Sequence, residues 1–179
     1  MKKTPGVVAG NDASRAKCSV RVAVAPADFA DWAALLALLR ESFAYMESRI
    51  DPPSSLQEMG ITELRAKIGD ESLIIAVDET GLVGCAFAAI QADCVYVGKL
   101  AVAERARGRG IARQIIGAAE SLAGDNGRQF LELRTRIELV ENHRAFVALG
   151  FEKVAETAHP GYRRPTSITM RKRLTVRVA

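Results

Sequence analysis

A short segment rich in arginine and glycine, Arg105-Ala106-Arg107-Gly108-Arg109-Gly110, has the residue types and spacing that most clearly indicate chemistry. It lies between a valine-containing run typical of a strand and an apolar periodicity that predicts a helix. Glycines there let the backbone approach a ligand closely, and the start of a helix presents unpaired N–H groups to an anion. The pattern predicts an anion site suited to a pyrophosphate. A glycine-containing turn with solvated arginines is an equally good interpretation of these six residues alone.

Two common phosphate-binding motifs do not fit this segment, called loop 105–110 below. A dinucleotide-binding fingerprint needs a third glycine where this chain has Arg113. A P-loop needs Gly-Lys-Ser or Gly-Lys-Thr, and neither tripeptide occurs. The arginines in and beside the loop favour an anion through their charge.

Metal and disulfide chemistry have little support in the composition. The chain has three cysteines (Cys18, Cys85 and Cys94) without a CxxC pair, and two histidines. This pattern predicts free thiols in a reducing cytoplasm and no metal site. We interpret Cys85 and Cys94 as small buried hydrophobic residues.

Length and composition predict one globular domain that neither spans a membrane nor binds a nucleic acid. The chain has 179 residues, of which 49% are hydrophobic, 26% charged and 6% aromatic. No apolar stretch reaches the roughly 20 residues that span a bilayer, and no signal peptide is visible. Charge is segregated: residues 22–103 carry five basic and twelve acidic groups, and residues 104–179 carry fifteen basic and eight acidic. Either two binding surfaces or two solvated faces explain this.

Periodicity positions the loop within an α/β domain over residues 19–179, after a flexible lead at 1–18. The predicted strands are 19–25, 73–77, 82–90, 94–102, 130–136, 151–157 and 167–173, and the middle ones form an antiparallel meander. The first predicted helix has Asp28 as its N-cap. Three further predicted helices cover 62–68, 111–124 with Gly124 as C-cap, and 138–149 closed by Gly150.

Three segments share one resemblance: residues 97–102, loop 105–110 with the helix after it, and Glu141-Asn142-His143-Arg144-Ala145-Phe146 leading to Leu149-Gly150-Phe151. Together they resemble the core of the GNAT superfamily of N-acetyltransferases. The order of elements over 19–173 is similar to that family throughout. The resemblance implies a mixed, mostly antiparallel sheet of about seven strands with about four helices. It also implies acetyl-CoA as co-substrate without a metal, an amine acceptor, and a cytoplasmic monomer or homodimer.

The resemblance also implies roles for individual residues. Backbone groups of Leu100 and Val102, on either side of Ala101, would pair with pantetheine. Loop amides would hold the pyrophosphate, and the residues concerned are Arg105, Ala106, Arg107, Gly108, Arg109, Gly110 and Ile111. Asn142 corresponds to an asparagine that contacts the cofactor, although it is equally well placed as a helix cap. Phe146 occupies the position of a tyrosine that protonates the leaving thiolate, so this site lacks that acid.

The acid and the base of the reaction stay open in the sequence. Tyr162 is the preferred substitute acid or acceptor-site residue, and packing within its loop is an equally good interpretation. Water, Glu47 or Asp51 are the candidates for the base. Tyr45 and Tyr96 are candidates for the acceptor pocket, with core packing the favoured interpretation. His143 is interpreted as a surface residue.

Two functions fit these observations. The first is acetyl transfer to an amine of small-molecule or peptide origin, where the acidic segment 22–103 attracts a cationic acceptor. The second is a non-catalytic acyl-CoA-binding module that senses the cofactor or binds partners, which the phenylalanine at position 146 favours.

Overall fold

The computed structural model describes residues 19–175, which form a seven-stranded sheet with helices packed on both faces. The predicted lead at 1–18, including Cys18, lies outside the described residues. The strands are β1 (Arg21–Val24), β2 (Ser72–Asp78), β3 (Gly81–Ile90), β4 (Cys94–Val102), β5 (Phe130–Arg136), β6 (Glu152–Thr157) and β7 (Ser167–Arg173). The helices are α1 (Trp32–Phe43), α2 (Ile61–Lys67), α3 (Ile111–Asp125) and α4 (Val140–Ala148), with 3₁₀ turns at Ala44–Met46, Ser55–Glu58 and Glu104–Ala106.

The strand order is β1-β2-β3-β4-β5-β7-β6. The pairings are antiparallel except for β4 with β5, which run parallel. This confirms the expected mixed, mostly antiparallel sheet with seven strands and four helices, and it confirms the predicted meander β2-β3-β4. A parallel neighbour needs a crossover connection, and α3 provides it between β4 and β5.

The parallel pair β4–β5 is short, and its shortness shapes the molecule. Its register covers Cys94 with Phe130, Val95 with Leu131 and Tyr96 with Glu132. Both strands continue beyond Tyr96 and Glu132, so they separate and leave a wedge between them. Strands that part in this way expose unpaired backbone groups to whatever fills the wedge.

A β-bulge interrupts β4 on its other edge. Cys85 of β3 is opposite Ala101, whereas Phe87 is opposite Gly98, so one extra residue of β4 is accommodated at 99–100. Within residues 19–175, Lys99 is the one non-glycine residue with a positive φ, +49°. The bulge redirects the side chains of β4 at the point where the two strands part.

The core holds α3 close against the sheet. Ile111 and Ile115 of α3 are buried beside Gly84 of β3, where an added Cβ would lie 3.0 Å from each isoleucine side chain. On the opposite face, Leu35 and Leu39 of α1 are completely buried. Replacing a leucine of this kind by alanine typically costs about 2–5 kcal/mol. The close approach at Gly84 fixes the start of α3, and with it loop 105–110.

Two predicted helix caps are wrong. Asp31, not Asp28, is the N-cap residue of α1, and its side chain makes no capping hydrogen bond. The helix α3 continues past Gly124 to Asp125, with Asn126 as C-cap and Gly127 in the left-handed region at φ +65°. A glycine is most useful just beyond the last helical residue, where φ becomes positive, and Gly127 meets that need.

Candidate active site

A cleft of about 920 Å³ opens where β4 and β5 separate. Its walls come from the two strands, from the chain after α1, from α4 and from the β6–β7 connection. The lining includes Tyr45, Tyr96, Lys99, Leu100, Ala101, Val102, Arg107, Arg134, Arg136, Glu141, Asn142, Phe146 and His159. Residues distant in the sequence therefore meet at one site because the sheet parts there.

The β4 edge of the cleft is made of backbone. The N–H of Ala103 donates to the Val83 carbonyl oxygen of β3 at 2.9 Å. Neighbouring residues of a strand point their backbone groups to opposite edges, so those of Val102 point toward the cleft. The hydroxyl of Ser42 donates to the Val102 carbonyl oxygen at 3.4 Å, so this carbonyl is directed away from β3. Ala101 pairs with Cys85 and is turned to β3.

Loop 105–110 continues from this edge into α3. A 3₁₀ turn at Glu104–Ala106 is followed by Gly108 and Gly110, each with φ +75°. Gly110 is the N-cap of α3, and Ile111 is buried as its first helical residue. The N–H groups of the first helical turn lack intrahelical partners and carry the positive end of the helix dipole. The loop backbone thus has the form of an anion site.

Two of the loop arginines do not face the cleft. Arg109 Nη1 lies 2.7 Å from Asp78 Oδ2, and Arg105 Nη2 donates to the Thr80 hydroxyl at 3.1 Å. Both side chains therefore anchor the loop to the β2–β3 turn. Hydrogen bonds from Thr80 and from Arg109 lower the pKa of Asp78 to about 2, so this anchor stays charged over the physiological range.

Arg107 and Arg113 have different surroundings. Arg107 lines the cleft, so within the loop it is the arginine placed to meet a ligand there. Arg113 donates from Nη2 to the Ala148 carbonyl oxygen at 3.2 Å, which ties α3 to the end of α4.

The wall opposite β4 is α4, and it is linked to the chain after α1. The Tyr45 hydroxyl donates to Asn142 Oδ1 at 3.1 Å, and Asn142 Nδ2 lies 2.9 Å from the same hydroxyl. Leu139, not Asn142, is the N-cap of α4. Phe146, one turn further along, packs edge-on against Phe151 at 6.2 Å between ring centroids. The expectation of core packing for Tyr45 is wrong, since its side chain is exposed and lines the cleft.

The comparisons with known proteins agree with this geometry. The model of the acetyltransferase (GNAT) family matches residues 32–151, which span α1 to the start of β6. The chain belongs to the GNAT acetyltransferase family. It is an acetyl-CoA-dependent N-acetyltransferase. No curated protein sequence matches it significantly.

Solved GNAT structures share the fold at low sequence identity. The PaiA N-acetyltransferase of Thermoplasma acidophilum in complex with coenzyme A has 16% identity and a TM-score of 0.72, over 87% of this chain and 99% of that one. A GNAT acetyltransferase of Elizabethkingia anophelis with acetyl-CoA bound has 15% identity and a TM-score of 0.62, over 87% and 98%. The ribosomal-protein-S18-alanine N-acetyltransferase of Escherichia coli has 14% identity and a TM-score of 0.63, over 87% and 94%.

The end of the acetyltransferase cleft away from loop 105–110 is lined by side chains. Tyr96, Lys99, Arg134, Arg136 and His159 form it, and we call this group the acceptor end. Core packing is the wrong expectation for Tyr96 as well, since its half-buried ring lines the cleft. The Arg134 guanidinium lies over that ring, 5.9 Å from its centroid. Burial lowers the pKa of Lys99, and the nearby charge of Lys67 lowers it further.

Arg136 and His159 form a polar contact at the acceptor end. Arg136 Nη1 lies 2.9 Å from His159 Nε2 and 3.0 Å from His159 Nδ1, so it approaches both ring nitrogens equally. His159 Nδ1 also lies 2.5 Å from the Thr166 hydroxyl. A proton on Nδ1 lets the ring donate to the Thr166 hydroxyl, which itself donates to the Thr157 carbonyl oxygen at 3.4 Å. Burial, followed by the charge of Arg136, lowers the pKa of His159, so the imidazole is neutral at neutral pH. The sequence suggests a role for neither residue, because no spacing links the end of a strand to a loop 23 residues later.

Tyr162 does not line the cleft. Its hydroxyl donates to Asp51 Oδ1 at 2.5 Å, and Arg164 reaches Asp51 Oδ2 at 3.1 Å. The hydrogen bond to Asp51 raises the pKa of Tyr162, so the phenol keeps its proton. Tyr162 thus links the β6–β7 connection to the segment after α1, beside the acceptor end.

The remaining residues considered in the sequence, Cys85, Cys94 and His143, do not line the cleft. Cys85 and Cys94 are buried free thiols, as predicted, and burial raises the pKa of Cys85 to about 12. His143 Nε2 lies 2.8 Å from the Arg136 carbonyl oxygen at the end of β5. Over residues 19–175, His, Cys, Asp and Glu form no cluster that fits a metal ion. The helices of the same segment are too short or too polar to cross a bilayer.

Proposed function

We propose that this chain moves the acetyl group of acetyl-CoA to an amine in one direct step within the cleft between β4 and β5. The observation that carries the proposal is the parting of these strands beside an anion-binding loop. One end of the cleft offers backbone N–H groups, and the other is open to a second substrate. The transfer forms one C–N bond and breaks one C–S bond. The amine loses one proton and the coenzyme A sulfur gains one, so coenzyme A is released as a thiol.

The donor groups of the cofactor end fit coenzyme A. The cofactor end comprises residues 100–102 and loop 105–110 with Ile111. We assign the pyrophosphate to the loop amides and the first turn of α3, since they supply N–H donors at a positive helix end. The amides of pantetheine pair with the outward backbone of Leu100 and Val102, as an added strand pairs with a sheet edge. Asn142 and Phe146 cover the cofactor from α4.

A covalent enzyme intermediate has no support at this site. A cysteine nucleophile needs a thiolate and access to the substrate. Cys85 is completely buried, and its pKa of about 12 keeps it protonated. Cys94 is buried as well, and burial raises its pKa. Direct attack by the amine is the simpler route.

Deprotonation of the amine runs through water in this proposal. Glu141 is the carboxylate of the cleft lining, and it is paired with Arg49 at 2.5 Å. Asp51 accepts from Tyr162 and Arg164, and Glu47, the other candidate base, is exposed outside the lining. The cations of the acceptor end disfavour a protonated amine, because like charges lower the pKa of an ammonium group. Tyr162 acts beside the acceptor, holding the β6–β7 connection through Asp51.

The test is thiol release from acetyl-CoA, followed by DTNB colour, with a panel of primary amines. Coenzyme A binding, measured by calorimetry in parallel, distinguishes acetyl transfer from non-catalytic binding of acyl-CoA. Acetylated product, identified by mass, establishes the transfer. Tight binding of coenzyme A without release of thiol on any amine would contradict it and favour the non-catalytic module. We propose that the active protein is a cytoplasmic monomer or homodimer without a nucleic-acid partner.

A further inference from the structure

The guanidinium of Arg136 is only partly satisfied. Its Nη1 contacts His159, whereas Nε and Nη2 are shielded from solvent and have no hydrogen-bond partner among residues 19–175. Donors that are buried without a partner are costly, and a charged group makes the cost larger. Two unused donors on an arginine of the substrate cleft therefore point to a ligand.

The two unused nitrogens are a matched pair. Nε–H and the N–H of Nη2 that faces it point in the same direction, and a carboxylate accepts both in parallel. Glu138 follows Arg136 closely. Its Oε1 lies 3.7 Å from Arg164 Nη1, and its Oε2 is buried without a hydrogen-bond partner in the described part of the chain, so it does not reach the Arg136 fork within hydrogen-bond distance. The fork of Arg136 thus has the geometry of a carboxylate receptor, and His159 holds its third nitrogen in place.

Most charged side chains that line the cleft around this fork are cationic, although the carboxylates of Glu138 and Asp51 also act on Arg136 from outside the lining. Lys99 and Arg134 line the cleft beside Arg136, and Glu141 at the other wall is neutralised by Arg49. Arg134 reaches a carboxylate only loosely, with Nη2 3.9 Å from Glu132 Oε1. The acidic segment 22–103 noted in the sequence therefore does not give the cleft a negative lining. A polyamine entering here would meet cations, whereas an acceptor with a negative group would be attracted.

We infer that the amine acceptor carries a carboxylate, which the Nε–Nη2 fork of Arg136 binds while the amine faces the thioester. The inference rests on the proposed transfer and names its substrate class, amines of the amino-acid type. The carboxylate reaches the fork through rotation of the Arg136 side chain or movement of the 158–165 connection, since both nitrogens are covered in the free protein. The carboxylate would neutralise Arg136 without providing a base, so water still takes the proton.

The experiment compares small, aliphatic and aromatic L-amino acids with their own amides, and with spermidine, in the thiol-release assay. Rates are expressed per concentration of unprotonated amine, because an amide lowers the pKa of its α-amine. We expect the best amino acid to exceed its amide in kcat/KM by about 10- to 100-fold, the usual value of a charged, two-bond contact. Spermidine should be the poorest substrate.

Variants then assign the preference to the fork. Arg136→Met should abolish it by raising the KM of the amino acid while leaving the amide unchanged within about threefold, and Arg136→Lys should restore only part of it. Arg144→Met, a charge change on the exposed side of α4, is the control and should keep the preference. Coenzyme A binding checks that each variant is folded.

Each outcome decides the inference. Equal rates for amino acids and amides, or a preference for spermidine, would overturn the inference while leaving the acetyl transfer intact. A carboxylate preference that survives Arg136→Met would also overturn it. Failure of every amine despite coenzyme A binding would remove the proposed function, and this inference with it.

Discussion

The two ends of the cleft are built from different parts of the chain. At the cofactor end, most groups that face the cleft belong to the backbone of the β4 edge, loop 105–110 and the first turn of α3, and Arg107 is the loop arginine that lines it. At the acceptor end they are side chains, with Arg134 and Arg136 supplied by β5 and His159 by a distant connection. A backbone site depends on φ and ψ, whereas a side-chain site depends on which residue stands at a position. The two ends should therefore respond to different mutations.

The loop arginines show the difference most clearly. Arg105 and Arg109 belong to a segment that the sequence marks as an anion site, yet both side chains hold the loop against the β2–β3 turn. Arg136 belongs to an ordinary alternating strand, yet two of its buried donors have no hydrogen-bond partner within residues 19–175. Charge in a motif does not reveal which way a side chain points.

The largest effect on the cofactor end should come from a change of backbone freedom. Gly110 has φ +75° and open space where a Cβ would be placed, so Gly110→Ala costs strain rather than a clash, about 1–2 kcal/mol. Relief of that strain would turn the first N–H groups of α3 away from the pyrophosphate. We expect acetyl-CoA affinity to fall about 10- to 100-fold, measured by calorimetry, since each contact to a charged group contributes 1.5–3 kcal/mol or so.

Gly127 provides the matched control. It has φ +65° at the other end of α3, also with open space at the Cβ position, and it does not line the cleft. Gly127→Ala should lower the unfolding temperature about as much as Gly110→Ala while leaving acetyl-CoA affinity unchanged. Similar affinity losses in both variants would mean that stability, not loop geometry, explains the effect.

The same division explains what could be predicted from the sequence. Strands β4, β5 and β7 have the predicted bounds, because alternation and glycine-containing turns are local signals. Loop 105–110 is recognisable because glycine is the visible mark of a backbone site. The acceptor end is not, because Arg136 and His159 meet only after β5, β6 and β7 pair. Core packing is the wrong prediction for Tyr45 and Tyr96 because periodicity does not show that β4 and β5 part beside them.

Arg107 and Arg105 test whether any loop side chain adds to the backbone site. Arg107 lines the cleft, whereas Arg105 donates to Thr80. Arg107→Met should raise the KM for acetyl-CoA about tenfold, as expected for one lost contact to a phosphate, with kcat unchanged. Arg105→Met should leave that KM within about twofold and act mainly on thermal stability. The reverse pattern would mean that the loop turns on binding and presents Arg105.

Tyr162→Phe tests the acceptor end at one step removed. The hydroxyl donates to Asp51 and keeps the β6–β7 connection near the cleft. We expect the KM of the acceptor to rise about threefold with kcat nearly constant, because one hydrogen bond of a positioning residue is lost. A roughly 100-fold slower turnover, with loss of the alkaline limb of the pH profile, would instead identify Tyr162 as the acid of the reaction.

The ion pair between Asp78 and Arg109 turns Arg109 away from the cleft, and its contribution to stability should depend on pH. Hydrogen bonds from Thr80 and Arg109 lower the pKa of Asp78 to about 2 in the folded protein, whereas an unfolded aspartate titrates near 3.9 or so. A carboxyl with a depressed pKa stabilises the folded state fully above its unfolded pKa, and the contribution is lost as pH falls through the folded pKa.

Asp78→Asn should therefore lower the unfolding temperature at pH 7, and its difference from the wild type should shrink between about pH 4 and pH 2. Thermal unfolding at constant ionic strength measures this difference. If the difference instead persists unchanged to pH 2, the carboxylate charge is not what anchors the loop. Coenzyme A affinity of the same variant at pH 7 then shows whether Arg109 joins the backbone site once the Asp78 carboxylate is replaced. We expect this affinity to change by less than about threefold, because the N–H groups of α3 keep their positions.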